Sequence, residues 1–169
     1  MSCSHWGGVE MQGLDVSQLK HLVVQPTLEA LGLGGETAIN LLTGTALAES
    51  RCAYVRQIGG GPALGLWQME PATHDDCWNN FLCYPAGRRF SRVLQGMLGT
   101  DQPKSAQLVS NLRYACGMAR IRFYRASEAL PVQGTAAELS GYHKRNYNTL
   151  AGAADPVANT AFFRQAILS

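Results

Sequence analysis

A chain of 169 residues, 46% hydrophobic and 15% charged, is long enough for one domain with its own core. Its net charge of +2 is too small to argue for a nucleic-acid partner, and no segment reaches the length of an apolar membrane span. The N-terminus has no basic segment followed by an apolar stretch, so no Sec-type signal peptide is expected.

In chain order, a helix is predicted from Asp15 or Ser17, with Leu19, Leu22, Val23, Leu28 and Leu31 in helical rhythm and a kink or break at Pro26. The glycines at 32, 34 and 35 end it. A second helix starts near Glu36 and Thr37, carries Ile39, Leu42, Ala46 and Leu47, and delivers Glu49 at its C-terminal end. Residues 57–62 read as a loop, and 64–69 as a short strand or extended turn. Pro71, Ala72 and Thr73 suit a helix entry, with Trp78, Phe81 and Leu82 at helical spacing before Pro85 and Gly87.

After Pro103, Leu108, Leu112, Cys116, Ala119 and Phe123 predict a long buried hub helix, with Arg113, Arg120 and Arg125 on its outer side. Arg88, Arg89 and Arg92 read as a solvated basic face. The last helix is capped by Asp155, opens at Pro156 and offers Val157, Ala161, Phe162, Ile167 and Leu168 for packing. The expected class is mainly α, with a small β element around residues 58–69. An N-terminal arm over 1–14 precedes one domain over 15–169.

Five cysteines at irregular spacing (Cys3, Cys52, Cys77, Cys83, Cys116) fit free thiols better than a disulfide framework or a zinc site. Cys77 and Cys83 read as small core residues.

The chemistry concentrates in two segments. Glu49 ends an apolar helix, at the negative pole of the helix dipole, which disfavours a charged carboxylate and suits a proton donor. The plainer alternative is a helix-end carboxylate paired with Arg51 or Arg56. Sixteen residues on, Gly65 permits close backbone approach, Trp67 offers a face for sugar stacking or a core side chain, and Gln68 can hydrogen-bond an acetamido or hydroxyl group.

Glu49-Ser50, Gly65-Leu66-Trp67-Gln68 and Pro71-Ala72-Thr73, in this order and spacing, resemble the lytic transglycosylases of glycoside hydrolase family 23, related in fold to goose-type lysozyme. Asn111, opening the hub helix, adds to the match. Phage-encoded proteins of that superfamily are more similar still, through Pro26-Thr27-Leu28, Gly44-Thr45-Ala46, Gly61 to Gly65, Pro71 to Asp76 and Tyr147-Asn148-Thr149. Trp67 stands where the family has Met, and Glu70 where it has an apolar residue. For the family's tyrosine, Tyr142 matches by place and Tyr147 by neighbouring letters; Tyr142 is favoured.

The resemblance implies a lysozyme-like fold and cleavage of the bond between N-acetylmuramic acid and N-acetylglucosamine in peptidoglycan, with Glu49 as sole acid and base and no metal or cofactor. It implies substrate-binding roles for Ser50, Gly65, Trp67, Gln68, Tyr142 or Tyr147. A hydrolytic muramidase of the same fold would need a second carboxylate, for which Glu70, Asp75 and Asp76 are candidates. Asp75 and Asp76 otherwise read as helix-N-terminal caps, and His74 as a cleft hydrogen-bond donor, a local cap or a solvated side chain. From another class comes a non-catalytic virion structural, ejection or wall-binding protein. The expected partners are peptidoglycan strands and other phage or virion proteins, with no nucleic acid and no membrane. A protein made in the bacterial cytoplasm without a signal peptide would reach the periplasm and wall through a membrane lesion, in a virus particle or by dedicated secretion.

Overall fold

The computed structural model describes residues 13–147 and 156–169; most of the N-terminal arm, Cys3, the Asn148-Thr149 segment and the Asp155 cap lie outside the described residues. Asp15 caps helix α1 (Val16–Gln18) by accepting the Gln18 N–H at 2.9 Å. The chain continues through a π-helical stretch (Leu19–Val24) into α2 (Gln25–Leu31). The break expected at Pro26 is therefore a change of pitch. A proline removes an N–H and crowds the carbonyl four residues back, and the wider π turn ahead of it, closed by Gln25 N–H on the Lys20 carbonyl, relieves that crowding. Gly32 then takes the left-handed conformation, φ 65°, and ends α2.

Helix α3 (Glu36–Ser50) has little solvent-facing surface. Ala38, Leu41, Leu42, Ala46 and Leu47 are buried, and so are the polar Asn40, Thr43, Thr45 and Ser50. The three hydroxyls donate to carbonyls four residues earlier, at 2.8–2.9 Å, so they enter the core already satisfied. Helix α3 packs against α8 (Pro156–Leu168) and α7 (Ala136–Asn146).

Helix α4 (Pro71–Cys77) runs into a second π-helical stretch (Trp78–Leu82), and α5 (Arg88–Gln95) turns Phe90 and Leu94 inward while Arg88, Arg89 and Arg92 face solvent. The predicted hub is α6 (Leu112–Tyr124), and it begins at Asn111, whose side chain accepts the Tyr114 N–H at 3.0 Å. Leu108 belongs to a separate 3-10 turn (Ala106–Leu108). Arg120 is not on an outer side: it is buried, and its Nε donates to the Leu33 carbonyl at 3.1 Å.

At the C-terminus one helix is added to those expected, and one expectation changes. Helix α7 is opened by a reciprocal capping box between Thr135 and Glu138, a Thr-x-x-Glu signature present in the sequence. On α8 the buried side chains are Phe163 and Ala166, whereas Val157, Ala161 and Leu168 are exposed. The N-terminal and C-terminal helices are tied by Lys20, whose Nζ donates to the Ala166 carbonyl at 2.7 Å, a cation at a helix C-terminus.

The small β element is reduced to two isolated antiparallel bridges, Arg56 with Leu64 and Leu64 with Met69; the described residues contain no sheet. Together they form one mainly helical domain. No helix among them is long and apolar enough to cross a membrane. Cys52, Cys77, Cys83 and Cys116 are free, and Cys83, expected in the core, is exposed and donates to the Asn79 carbonyl.

The contact between α3 and α8 depends on Gly44, where an added Cβ would sit 2.3 Å from a ring carbon of Phe163. Gly44→Ala improves intrinsic helix propensity by about 1 kcal/mol, yet it overpacks a rigid aromatic ring, an effect of about 1–3 kcal/mol. The expected outcome in urea unfolding is a net loss of stability; a gain would show that α8 moves freely on α3.

Candidate active site

Helix α3 ends in a left-handed turn made by two non-glycine residues, Arg51 at φ 53° and Cys52 at φ 55°. Such a conformation is disfavoured for side chains with a Cβ, and here it is closed by Arg51 N–H on the Leu47 carbonyl at 2.8 Å. The turn brings Glu49 to the surface with its side chain 19% exposed. Its Oε1 lies 2.9 Å from Nε2 of His143 on α7. The partner of Glu49 is thus a buried imidazole rather than Arg51 or Arg56.

His143 is enclosed by aromatic rings. Tyr147 stacks on it at 5.6 Å between centroids and 21° between planes, and Phe163 lies at 5.6 Å and 50°. Its Nδ1 is buried and has no hydrogen-bond partner among the described residues.

The 65–69 turn is fastened to the same helices by its own atoms. Gly65 has φ 72°, and an added Cβ would lie 2.2 Å from the Leu108 carbonyl oxygen, so the close approach it permits is to the protein's own backbone. Trp67 is 1% exposed and its Nε1–H donates to the Leu42 carbonyl on α3 at 2.9 Å. Its ring is a core side chain, the second of the two alternatives, and offers no face to a sugar. The Trp67 carbonyl accepts the hydroxyl of Tyr147 at 2.8 Å. Gln68, left-handed at φ 44°, is half-buried and donates its amide to the Gly65 carbonyl at 2.7 Å. Ser50 is buried and its hydroxyl is committed to Ala46.

Of the two tyrosines, Tyr147 rather than Tyr142 stands against the Glu49 and His143 pair. Tyr142 is buried beside Phe123 and donates to the Glu128 carbonyl at 2.9 Å. Burial raises the Tyr147 phenol above its usual range, with Arg122 opposing and Glu49 reinforcing, so it acts as a neutral hydrogen-bond donor.

The acidic segment past Gln68 is built otherwise than expected. Glu70 is exposed at the start of α4 and makes no side-chain cap. Asp75 and Asp76 lie in the second half of α4, too far along to cap its N-terminus. Asp76 accepts from Asn80 and Arg125, both at 2.6 Å, contacts that hold its carboxyl below its usual value. His74 is neither a cap nor a cleft donor: it is buried, with Nδ1 2.7 Å from Asp75 and Nε2 2.7 Å from the Tyr114 hydroxyl. Trp78 Nε1–H donates to the same hydroxyl at 2.8 Å. With the phenol O–H given to Nε2 and Nδ1–H given to Asp75, every polar atom of this knot is satisfied by a neutral imidazole.

A cavity of about 480 Å³ lies elsewhere, lined by Gly99, Asp101, Gln107, Asn111 and Arg113 among others, and includes none of the predicted site residues. Among the described residues no three His, Cys, Asp or Glu side chains gather as a metal site would require. The residue that motif reasoning missed is His143. Leu139, Tyr142 and His143 at i, i+3 and i+4 behind the Thr135-Glu138 box mark one buried helical face, which is the signal that could have found it.

Burial pushes the His74 imidazole below its usual value of 6.5, against the hydrogen bond and charge of Asp75, which pull it up. The unfolded chain therefore binds a proton that the folded one refuses. Stability from this site is complete above pH 6.5 and is lost as pH falls from there toward the lowered folded value. Melting temperatures at pH 7.5 and 5 should fall further for wild type than for His74→Gln; equal losses would remove His74 from the acid response. Comparison with protein-family models, with curated proteins and with solved structures finds no match for this chain.

Proposed function

We propose that the protein cleaves peptidoglycan as a lytic transglycosylase of lysozyme-like fold. The observation that carries this reading is the setting of Glu49: one carboxyl group, partly exposed at the end of a buried helix, with one oxygen held by a buried imidazole and the other in no ion pair among the described residues. Protonated, it would donate to the oxygen between N-acetylmuramic acid and N-acetylglucosamine. The C1–O bond breaks, the glucosamine leaves with its 4-hydroxyl, and the N-acetyl group within the substrate stabilises the positive C1. The carboxylate then takes the proton of the muramic 6-hydroxyl while O6 bonds to C1, which closes a 1,6-anhydro ring. The proton returns to Glu49 and no water is consumed.

A one-carboxylate route is favoured over hydrolysis by what surrounds the alternatives. Asp76 is engaged through both oxygens, by Asn80 and Arg125, so it is not free to activate water. Glu70, exposed, and Asp75, which gives only one oxygen to His74, remain the carboxylates to test if reducing ends are formed. Delivery in a virus particle or through a membrane lesion, with other phage proteins as partners, belongs to the same proposal.

With Trp67 inside the core, the aromatic face for a sugar would come from Tyr54. It is 43% exposed and sits just beyond the left-handed turn, its N–H on the Ser50 carbonyl at 3.2 Å. Tyr54→Ala is expected to raise KM severalfold at constant kcat, the mark of binding shared by ground and transition states. An unchanged KM would remove Tyr54 from the cleft.

The deciding experiment is mass spectrometry of the soluble muropeptides released from purified peptidoglycan by wild type and Glu49→Gln. Anhydromuramic ends from wild type, reduced about 10²–10⁴-fold in the variant, are the expected result. Reducing ends would mean hydrolysis, and an absence of products from wild type would leave a wall-binding or virion structural protein.

A further inference from the structure

We propose that His143 is a positioning residue for Glu49: its Nε2–H fixes Oε1 so that Oε2 alone is presented to substrate. The proposal rests on the reading of Glu49 as the acid and extends it to a side chain on another helix. Three observations carry it. The Nε2 to Oε1 distance is 2.9 Å, with the imidazole buried and the carboxyl partly exposed. The ring is enclosed by Tyr147 and Phe163, and Tyr147 is itself fastened to the Trp67 carbonyl, so the imidazole is confined where it meets Glu49. Its other nitrogen, Nδ1, has no partner among the described residues.

That orphan nitrogen assigns the tautomer and argues for a role. With the proton on Nε2, the ring donates to Oε1 and buries only a lone pair at Nδ1. A proton on Nδ1 would bury an N–H with no acceptor. Packing alone gives no reason for an imidazole here, since an apolar ring would fill the space without an orphaned atom. The polar edge has one use among the described contacts, which is the carboxyl group of Glu49.

The contact also grows stronger at the right moment. A glutamate side chain turns about three bonds, and holding Oε1 removes most of that freedom before substrate arrives. When Oε2 gives up its proton, negative charge spreads onto Oε1 and the Nε2–H bond becomes charge-assisted. The stabilisation is then larger in the transition state than in the resting enzyme, so its loss should appear in kcat.

The test combines kinetics on a soluble glycan-strand substrate with imidazole ¹⁵N NMR of the intact protein. His143→Phe keeps a ring and removes the donor; His143→Gln restores an N–H near the position of Nε2. The expected result is a kcat about 10²-fold lower for His143→Phe at unchanged KM, with at least about tenfold of it recovered in His143→Gln. Wild-type kcat in a folded His143→Phe, or equal damage in both variants, overturns the proposal. NMR decides it independently of how the His143 variants fold: a ring protonated at Nε2 only, whose N–H signal moves in Glu49→Gln, supports the clamp, and a ring protonated at Nδ1, or an N–H signal that stays in place in Glu49→Gln, overturns it. If wild-type protein releases no muropeptides, the enzymatic reading fails on its own, while the NMR outcome still decides whether His143 holds Glu49.

Discussion

The burial of α3 is the constraint on which the rest of the molecule depends. A helix that meets core on nearly every side must hide its polar side chains and still release one carboxyl group at its end. Thr43, Thr45 and Ser50 solve the first problem by bonding back along the helix. The left-handed turn at Arg51 and Cys52 solves the second, since it stops the helix one residue after Glu49 and turns the chain away. Two strained non-glycine residues are tolerated there because the turn is tied back to Leu47 and Ala46.

Everything around Glu49 is then fastened to that helix. The 65–69 turn is held through Trp67 on the Leu42 carbonyl, α7 through His143 on Glu49 itself, and α8 through Phe163 lying on Gly44. Tyr147 joins two of these supports, stacking on His143 and donating to Trp67. The site is thus placed by rigid helices, with a single short turn as the third wall.

Much of the fold was legible because apolar periodicity reports burial directly: α3 and the body of α6 follow from Leu42, Ala46, Leu47, Cys116, Ala119 and Phe123. Where apolar residues lie on more than one side of a helix, periodicity selects a face poorly. On α8 it offered Val157 and Leu168, while the buried residues are Ala166 and Phe163, the latter seated in the space left at Gly44. Glu49 could be found from its place at the end of an apolar run. His143 could not be paired with it, because the two are 94 residues apart and nothing local to either records the contact.

The aromatic residues show why motif letters and side-chain roles separate. A tryptophan next to a glycine turn reads equally as a platform for a sugar or as an anchor, and the indole N–H decides between them. Once buried, that N–H must find an acceptor, and the Leu42 carbonyl supplies it. The same rule turns Trp78 and Tyr114 inward to complete the hydrogen bonds of His74, and draws Asp75 into that knot. The ring nitrogens of His74 and Trp78 and the hydroxyl of Tyr114 are spent on internal ties. Glu49 gives one oxygen to His143 and, among the described contacts, keeps the other outside any such tie, at a side chain 19% exposed.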